Sequence, residues 1–182
     1  MTNNAKRSEK MLEIYTDGSA HPNPGPGGFG VIVLDKDKNL CYNNYKLVEV
    51  YSKQFEYTTN NEQELKAILY AFLNYGVDKD SFQYPIIYSD SAYAINTYST
   101  WMFNWAQKGW VKSDKKTPEN LEIIQAYYNW YQNGKRIELR KIAGHQGNYW
   151  NEIADKLATG KMTPTEVEVM CNISKVFEKG DK

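Results

Sequence analysis

Histidine and cysteine are scarce in this chain, two of each among 182 residues, and Cys41 and Cys171 stand far apart. That leaves no thiolate pair for zinc and no disulfide framework, and it fits the reduced interior of a cell, so a cytoplasmic location is expected. No segment nears the roughly 20 apolar residues of a membrane span, so no membrane partner is expected. The opening MTNNAKRSEK is polar and lacks an apolar run behind its charges, which argues against export. Net charge is missing as well: 22 Lys and Arg balance 22 Asp and Glu, so any face for an anionic partner has to be local. Repeats and low-complexity tracts are also absent. What the chain does have is 41% hydrophobic residues, enough for the core of one domain. The expected organisation is a polar segment over 1–10, a single domain over 11–160 and a tail over 161–182 that carries no motif.

Hydrophobic periodicity sets the elements. Met11–Thr16, Gly28–Leu34 and Leu40–Tyr51 read as three strands joined by short links, an antiparallel meander. From Asn60 the period turns helical, with Leu65, Ile68, Leu69, Phe72 and Leu73 on one stripe, Asn60 or Asn61 as the cap and Gly76 as the stop. Tyr84–Ser89 is a short apolar strand that opens into the helix-like SAYAINTY. A helix over about 118–132, a strand near Arg136–Ile142 and a helix over about 149–159 follow. The order implies an α/β fold with a mixed sheet flanked by helices.

Asp17 closes the first expected strand and Asp90 the fourth, and ligands in open α/β sheets gather at such strand ends. If these strands are parallel neighbours, the two acids share one edge. Each aspartate alone is an ordinary turn former or cap. Together, two carboxylates about 4 Å apart repel by roughly 4 kcal/mol at an effective dielectric near 20, a cost that a cation removes. Hard oxygen donors suit Mg²⁺ or Mn²⁺ rather than zinc.

The segments YTDGS, TTNNEQELKA, YSDSAYAINTYSTW and AGHQGNYWNEIADKLA, in that order and spacing from about Met11 to Thr159, make the chain resemble type 1 ribonuclease H of the bacterial cellular kind. The resemblance implies the ribonuclease H-like fold, a five-stranded mixed sheet with three antiparallel strands followed by two parallel ones. It also implies hydrolysis of the RNA strand of an RNA/DNA hybrid by two Mg²⁺ ions, with Mn²⁺ as a substitute, to leave 5′-phosphate and 3′-hydroxyl ends. The metal ligands it implies are Asp17, Glu64, Asp90 and Asp155. Glu62 competes with Glu64, but the family's glutamate lies four residues after the first Asn and directly before an apolar residue, which selects Glu64. His145, in the Gly-rich loop AGHQGN, is implied as an assistant in proton transfer or phosphate release.

Gly18 and Ser19, as small residues that permit close approach, and Asn23, Asn60 and Asn61, as polar groups for the minor groove, are the implied contacts to the RNA strand. Residues 100–116 resemble the basic protrusion that holds the DNA strand. Tyr93, Trp101, Trp105 and Ser113 are implied to line its channel, and Lys108, Lys112, Lys115 and Lys116 to meet phosphates. Thr59 and Asn120 match positions that seat a DNA phosphate. Without the resemblance, the tryptophans would read as core; Trp110, Trp130 and Trp150 are left to packing. A monomer is expected, without a separate hybrid-binding module. Two rivals remain: another nuclease on the same fold, and a binding protein that has lost the reaction. The first lacks its usual pair of acids one residue apart, and the second lacks its usual broken acid set.

Overall fold

The computed structural model describes residues 11–36, 45–144 and 147–180. Three long strands, β1 (Met11–Ala20), β2 (Gly25–Lys36) and β3 (Tyr45–Thr58), form the expected meander. The expected start of β3 at Leu40 lies outside the described residues. Helix α1 (Asn60–Tyr75) crosses over, and after the short β4 (Val77–Asp78) the strand β5 (Ile86–Ser89) lies parallel to β1. A nearly continuous helical stretch follows: α2 (Ala92–Asn96), a π turn (Thr97–Trp101) and α3 (Met102–Gln107). Then come α4 (Leu121–Gln132), β6 (Lys135–Arg136), β7 (Glu138–Lys141), α5 (Tyr149–Ala158) and α6 (Pro164–Gly180). The main sheet has the order β3-β2-β1-β5-β7, its last two strands parallel to β1, while β4 and β6 pair by themselves. This is the α/β fold that the sequence implies.

Alternation along β1 divides the core. Ile14 points to one face, where Leu65, Ile68 and Phe72 of α1 meet Val31, Val33 and Ile87. On that face Tyr98 and Tyr127 stack at 4.0 Å between ring centres, and the Tyr98 hydroxyl donates to the Leu65 carbonyl at 3.0 Å. Tyr15 points to the other face, where Ile153, Ala154 and Leu157 of α5 cover Ile32 and Leu34. Gln54 of β3 fixes the far end of α5 by donating to the Leu157 carbonyl at 2.9 Å. The tail does more than the sequence suggested: α6 buries Val167 completely on this second face.

Three local readings are corrected. The cap of α1 is Thr59, whose hydroxyl accepts from the Glu62 backbone N–H at 3.2 Å. Asn60 fails as a cap because its side-chain oxygen is already taken by the Ala20 N–H. Strand β1 continues past Asp17 to Ala20, because β2 supplies partners as far as Gly27. Trp130 is half exposed, with the Lys135 ammonium 5.2 Å from its ring centre, because its helix turns that side to solvent. Trp110 and Trp150 pack as expected, Trp110 edge-on against Tyr128 at 5.2 Å and Trp150 against Tyr45 at 6.4 Å.

Candidate active site

Asp17 sits where the parallel half of the sheet gives out. Pairing of β1 with β5 ends at Tyr15 and Tyr88, while pairing with β2 carries on and matches Asp17 to Gly30. Asp17 is therefore held on one side and open on the other, toward the residue that follows β5, which is Asp90. Glu64 arrives from the first turn and a half of α1. It can come that close because Gly18 has no side chain: a Cβ there would lie 2.8 Å from Glu64 Cα and closer still to Glu64 N and the Gln63 carbonyl carbon. The space left by Gly18 is thus filled by α1.

Oxygens of Asp17, Glu64 and Asp90 all lie within 4.8 Å of one another. Asp17 is 7% exposed and Glu64 9%. Burial, then the charges of Asp90 and Asp155, push the Asp17 carboxyl up to about 7, against the pull of the Gly18 N–H that donates to its Oδ1 at 2.9 Å. Burial, then the charges of Asp17 and Asp90, push Glu64 well above the ordinary range. Glu64 Oε2 is buried and has no hydrogen-bond donor. Three hard, mutually repelling donors with an unsatisfied buried oxygen suit a divalent cation.

Asp155 does not join the three within that radius, though its charge reaches Asp17 from α5. Its neighbours Ile153, Ala154, Leu157 and Ala158 are buried, so the acid lies on the half-exposed edge of the helix. His145 lies outside the described residues. Glu62 is turned away and paired, with Lys66 Nζ at 2.6 Å and Thr58 Oγ1 donating at 2.8 Å.

The asparagines form a chain beside the acids. The Asn60 backbone N–H donates to Asn23 Oδ1 at 3.2 Å, and Asn60 Oδ1 accepts from Ala20. Both oxygens are thereby occupied, and among the described residues neither side-chain NH₂ donates to a protein group. Two exposed amide donors therefore stand one helical turn before Glu64, at the start of α1, with Asn61 exposed beside them. Ser19 is half-buried on β1 and pairs with Gly28. The Thr59 hydroxyl accepts from Glu62 and keeps its own proton to donate.

Further along, Tyr93 and Trp101 meet edge to face at 6.0 Å, and Trp101 and Trp105 lie 6.0 Å apart. Residues four apart drift around an α-helix, and the wider π turn between Thr97 and Trp101 turns the chain back, so the rings stay on one side. Trp101 is 37% exposed, while Trp105 and Tyr93 rest partly on the core. Asn120, in the left-handed conformation ahead of α4, has its side chain against the Tyr93 hydroxyl. Ser113, Lys108, Lys115 and Lys116 are exposed, and Lys112 is 3.8 Å from Asp114.

One contributor escaped the sequence reading. Asn151 of α5 donates through Nδ2 to Asp90 Oδ2 at 3.1 Å. It lies one turn before Asp155, inside the segment AGHQGNYWNEIADKLA that carries the family resemblance, and those are the signals that the sequence offered.

Comparison with known proteins converges on one family. The family model for RNase H matches residues 9–163. Ribonuclease H of Rhizobium etli is 36% identical over 159 residues, covering 85% of this chain and 93% of that protein. Ribonuclease HI of Haemophilus ducreyi is 34% identical over 168 residues, covering 88% of this chain and 96% of that one. The crystal structure of LC9-RNase H1, a type 1 RNase H with the type 2 active-site motif, is similar with a TM-score of 0.66 at 27% identity, covering 85% of this chain and 74% of that one.

Proposed function

Since the chain belongs to the ribonuclease H family of nucleases, we propose that it cleaves the RNA strand of RNA/DNA hybrids, with Asp17, Glu64, Asp90 and Asp155 as ligands for two divalent ions. The observation that carries this reading is the packing of the Asp17, Glu64 and Asp90 oxygens within 4.8 Å, with Asp17 and Glu64 buried and exposed amide donors one helical turn before Glu64. Mg²⁺, with Mn²⁺ as a substitute, would neutralise the acids, lower the pKa of a bound water and balance the charge of an in-line displacement at phosphorus.

The chain's own groups then have separate tasks. Asp17, Glu64 and Asp90 hold their carboxylates in a fixed, nearly dry arrangement. Asp155 reaches the same pocket from α5. His145 helps to move the proton that goes to the departing 3′ oxygen, so that water ends on phosphorus as a 5′-phosphate and the other end becomes a 3′-hydroxyl. The Asn23, Asn60 and Asn61 amides, with Ser19 and the Gly18 backbone, read the minor groove and its 2′-hydroxyls. A site that satisfies a hydroxyl in this way rejects an analogue without one by roughly 10⁴-fold, which surface charge does not achieve. Thr59 and Asn120 seat a phosphate of the DNA strand; Tyr93, Trp101, Trp105 and Ser113 line its path, and the lysines from Lys108 to Lys116 meet its phosphates. The chain acts as a monomer in the cytoplasm. Its catalytic domain is taken as residues 11–160.

A panel of labelled RNA/DNA, RNA/RNA and DNA/DNA duplexes tests the reading. In Mg²⁺ only the RNA of the hybrid is cut, and a chelator stops the reaction. Equal cutting of all three duplexes, or cutting that persists in chelator, overturns the assignment.

A further inference from the structure

Two residues close on one oxygen of Asp90. Gly144 comes so close that a Cβ on it would lie 2.7 Å from Asp90 Oδ2. Asn151 Nδ2 donates to the same Oδ2 at 3.1 Å. Asn151 is only 3% exposed, and its backbone N–H is tied to the helix cap, donating to Asn148 Oδ1 at 3.2 Å.

The amide is an expensive choice for that place. Its Oδ1 is buried and accepts no hydrogen bond. Burying an unsatisfied acceptor costs stability, so an apolar side chain of similar size would pack there with less penalty. The bond to Asp90 is what the amide gains. Its direction is set by charge, because a flipped amide would bring its oxygen against a carboxylate that only accepts. The bond holds one Asp90 oxygen in place and so restricts how the carboxylate turns beside Asp17 and Glu64. Asn151 also lies four residues before Asp155 on α5, so the same bond ties the helix bearing Asp155 to the strand end bearing Asp90.

We propose that Asn151 is a positioning residue of the cation site: it orients the Asp90 carboxylate and holds α5 in register with β5. The inference rests on the reading of Asp17, Glu64 and Asp90 as ligands of a divalent ion. Partners of this kind, one bond removed from the ion, typically change metal affinity by about 10- to 100-fold when removed.

The test is Mn²⁺ binding to the whole chain, followed by calorimetry and by the Mn²⁺ paramagnetic signal, for the parent, Asn151→Leu and Asn151→Ala. Leu roughly keeps the volume and removes the donor; Ala also removes the donor, with a smaller side chain, and serves if Leu distorts the helix. Thermal unfolding without metal is measured alongside. Both variants should bind Mn²⁺ about 10- to 100-fold more weakly, and their cleavage of a hybrid should recover as Mn²⁺ is raised. Asn151→Leu should unfold at the parental temperature or above. Parental Mn²⁺ affinity in both variants overturns the positioning role while leaving the cation site standing. A parent that takes up no Mn²⁺ overturns the cation site and the inference with it.

Discussion

Asp17→Asn abolishes cleavage of an RNA/DNA hybrid, by about a thousandfold or more, and at the same time makes the metal-free protein more stable at pH 8. Loss of activity follows from removing the carboxylate at the centre of the acidic group. The gain in stability follows from the cost of burying that charge. Asp17 ionises at about 7 in the folded chain, because burial and the neighbouring charges of Asp90 and Asp155 disfavour its anion. An ordinary aspartate ionises near 4 in the unfolded chain. Between those values the folded state binds more protons, so the contribution of Asp17 is fully present below about pH 4 and is lost as pH rises through about 7. The parent should therefore become less stable from pH 4 to pH 7.5 in chelator, Asp17→Asn should lose less over the same span, and saturating Mg²⁺ should restore the parent. Thermal unfolding across pH, with and without metal, checks the sign. Glu64→Gln should also be inactive, while Glu62→Gln should keep near-normal activity, because Glu62 is engaged with Lys66 and Thr58 and lies outside the group. The reverse pattern would place the catalytic glutamate at Glu62.

Gly18→Ala damages both the fold and the reaction. The added methyl would meet the backbone of Gln63 and Glu64, which cannot swing aside as a long side chain can. Overpacking of this kind costs roughly 1–3 kcal/mol. Relief comes only if α1 backs away from β1, and that movement carries Glu64 away from Asp17. A misplacement of about 1 Å at a reacting centre can cost on the order of 100-fold in rate. The variant should show a lower denaturant midpoint together with a kcat reduced by tens-fold or more, even in saturating metal. An Ala variant with parental stability and kcat would show that α1 does not press on Gly18.

What the sequence revealed and what it hid divide along a physical line. Local periodicity and punctuation exposed the meander, α1 with its stop at Gly76, and the strand before Asp90. The helix expected over about 149–159 was likewise legible, and α5 spans Tyr149–Ala158. What stayed hidden depends on partners distant in sequence. Strand β1 outlasts Asp17 only because β2 pairs with it to Gly27. Thr59 displaces Asn60 as the cap only because Ala20 claims the Asn60 oxygen. Val167 belongs to the core only because α6 folds back onto the second face of the sheet. Asn151 falls inside the AGHQGNYWNEIADKLA segment, but its bond to Asp90 spans 61 positions of sequence, so its partner was not legible from the segment alone. The sequence offered Gly18 as room for a ligand; that it also makes room for α1 depends on Gln63 and Glu64, some 45 positions away.

The central claim is that Asp17, Glu64 and Asp90 jointly hold a divalent ion. Anomalous diffraction from crystals grown with Mn²⁺ and a hybrid tests it most directly. The account predicts a manganese peak within bonding distance of all three carboxylates. A difference map with no peak in that pocket, and manganese bound elsewhere on the protein, would contradict it.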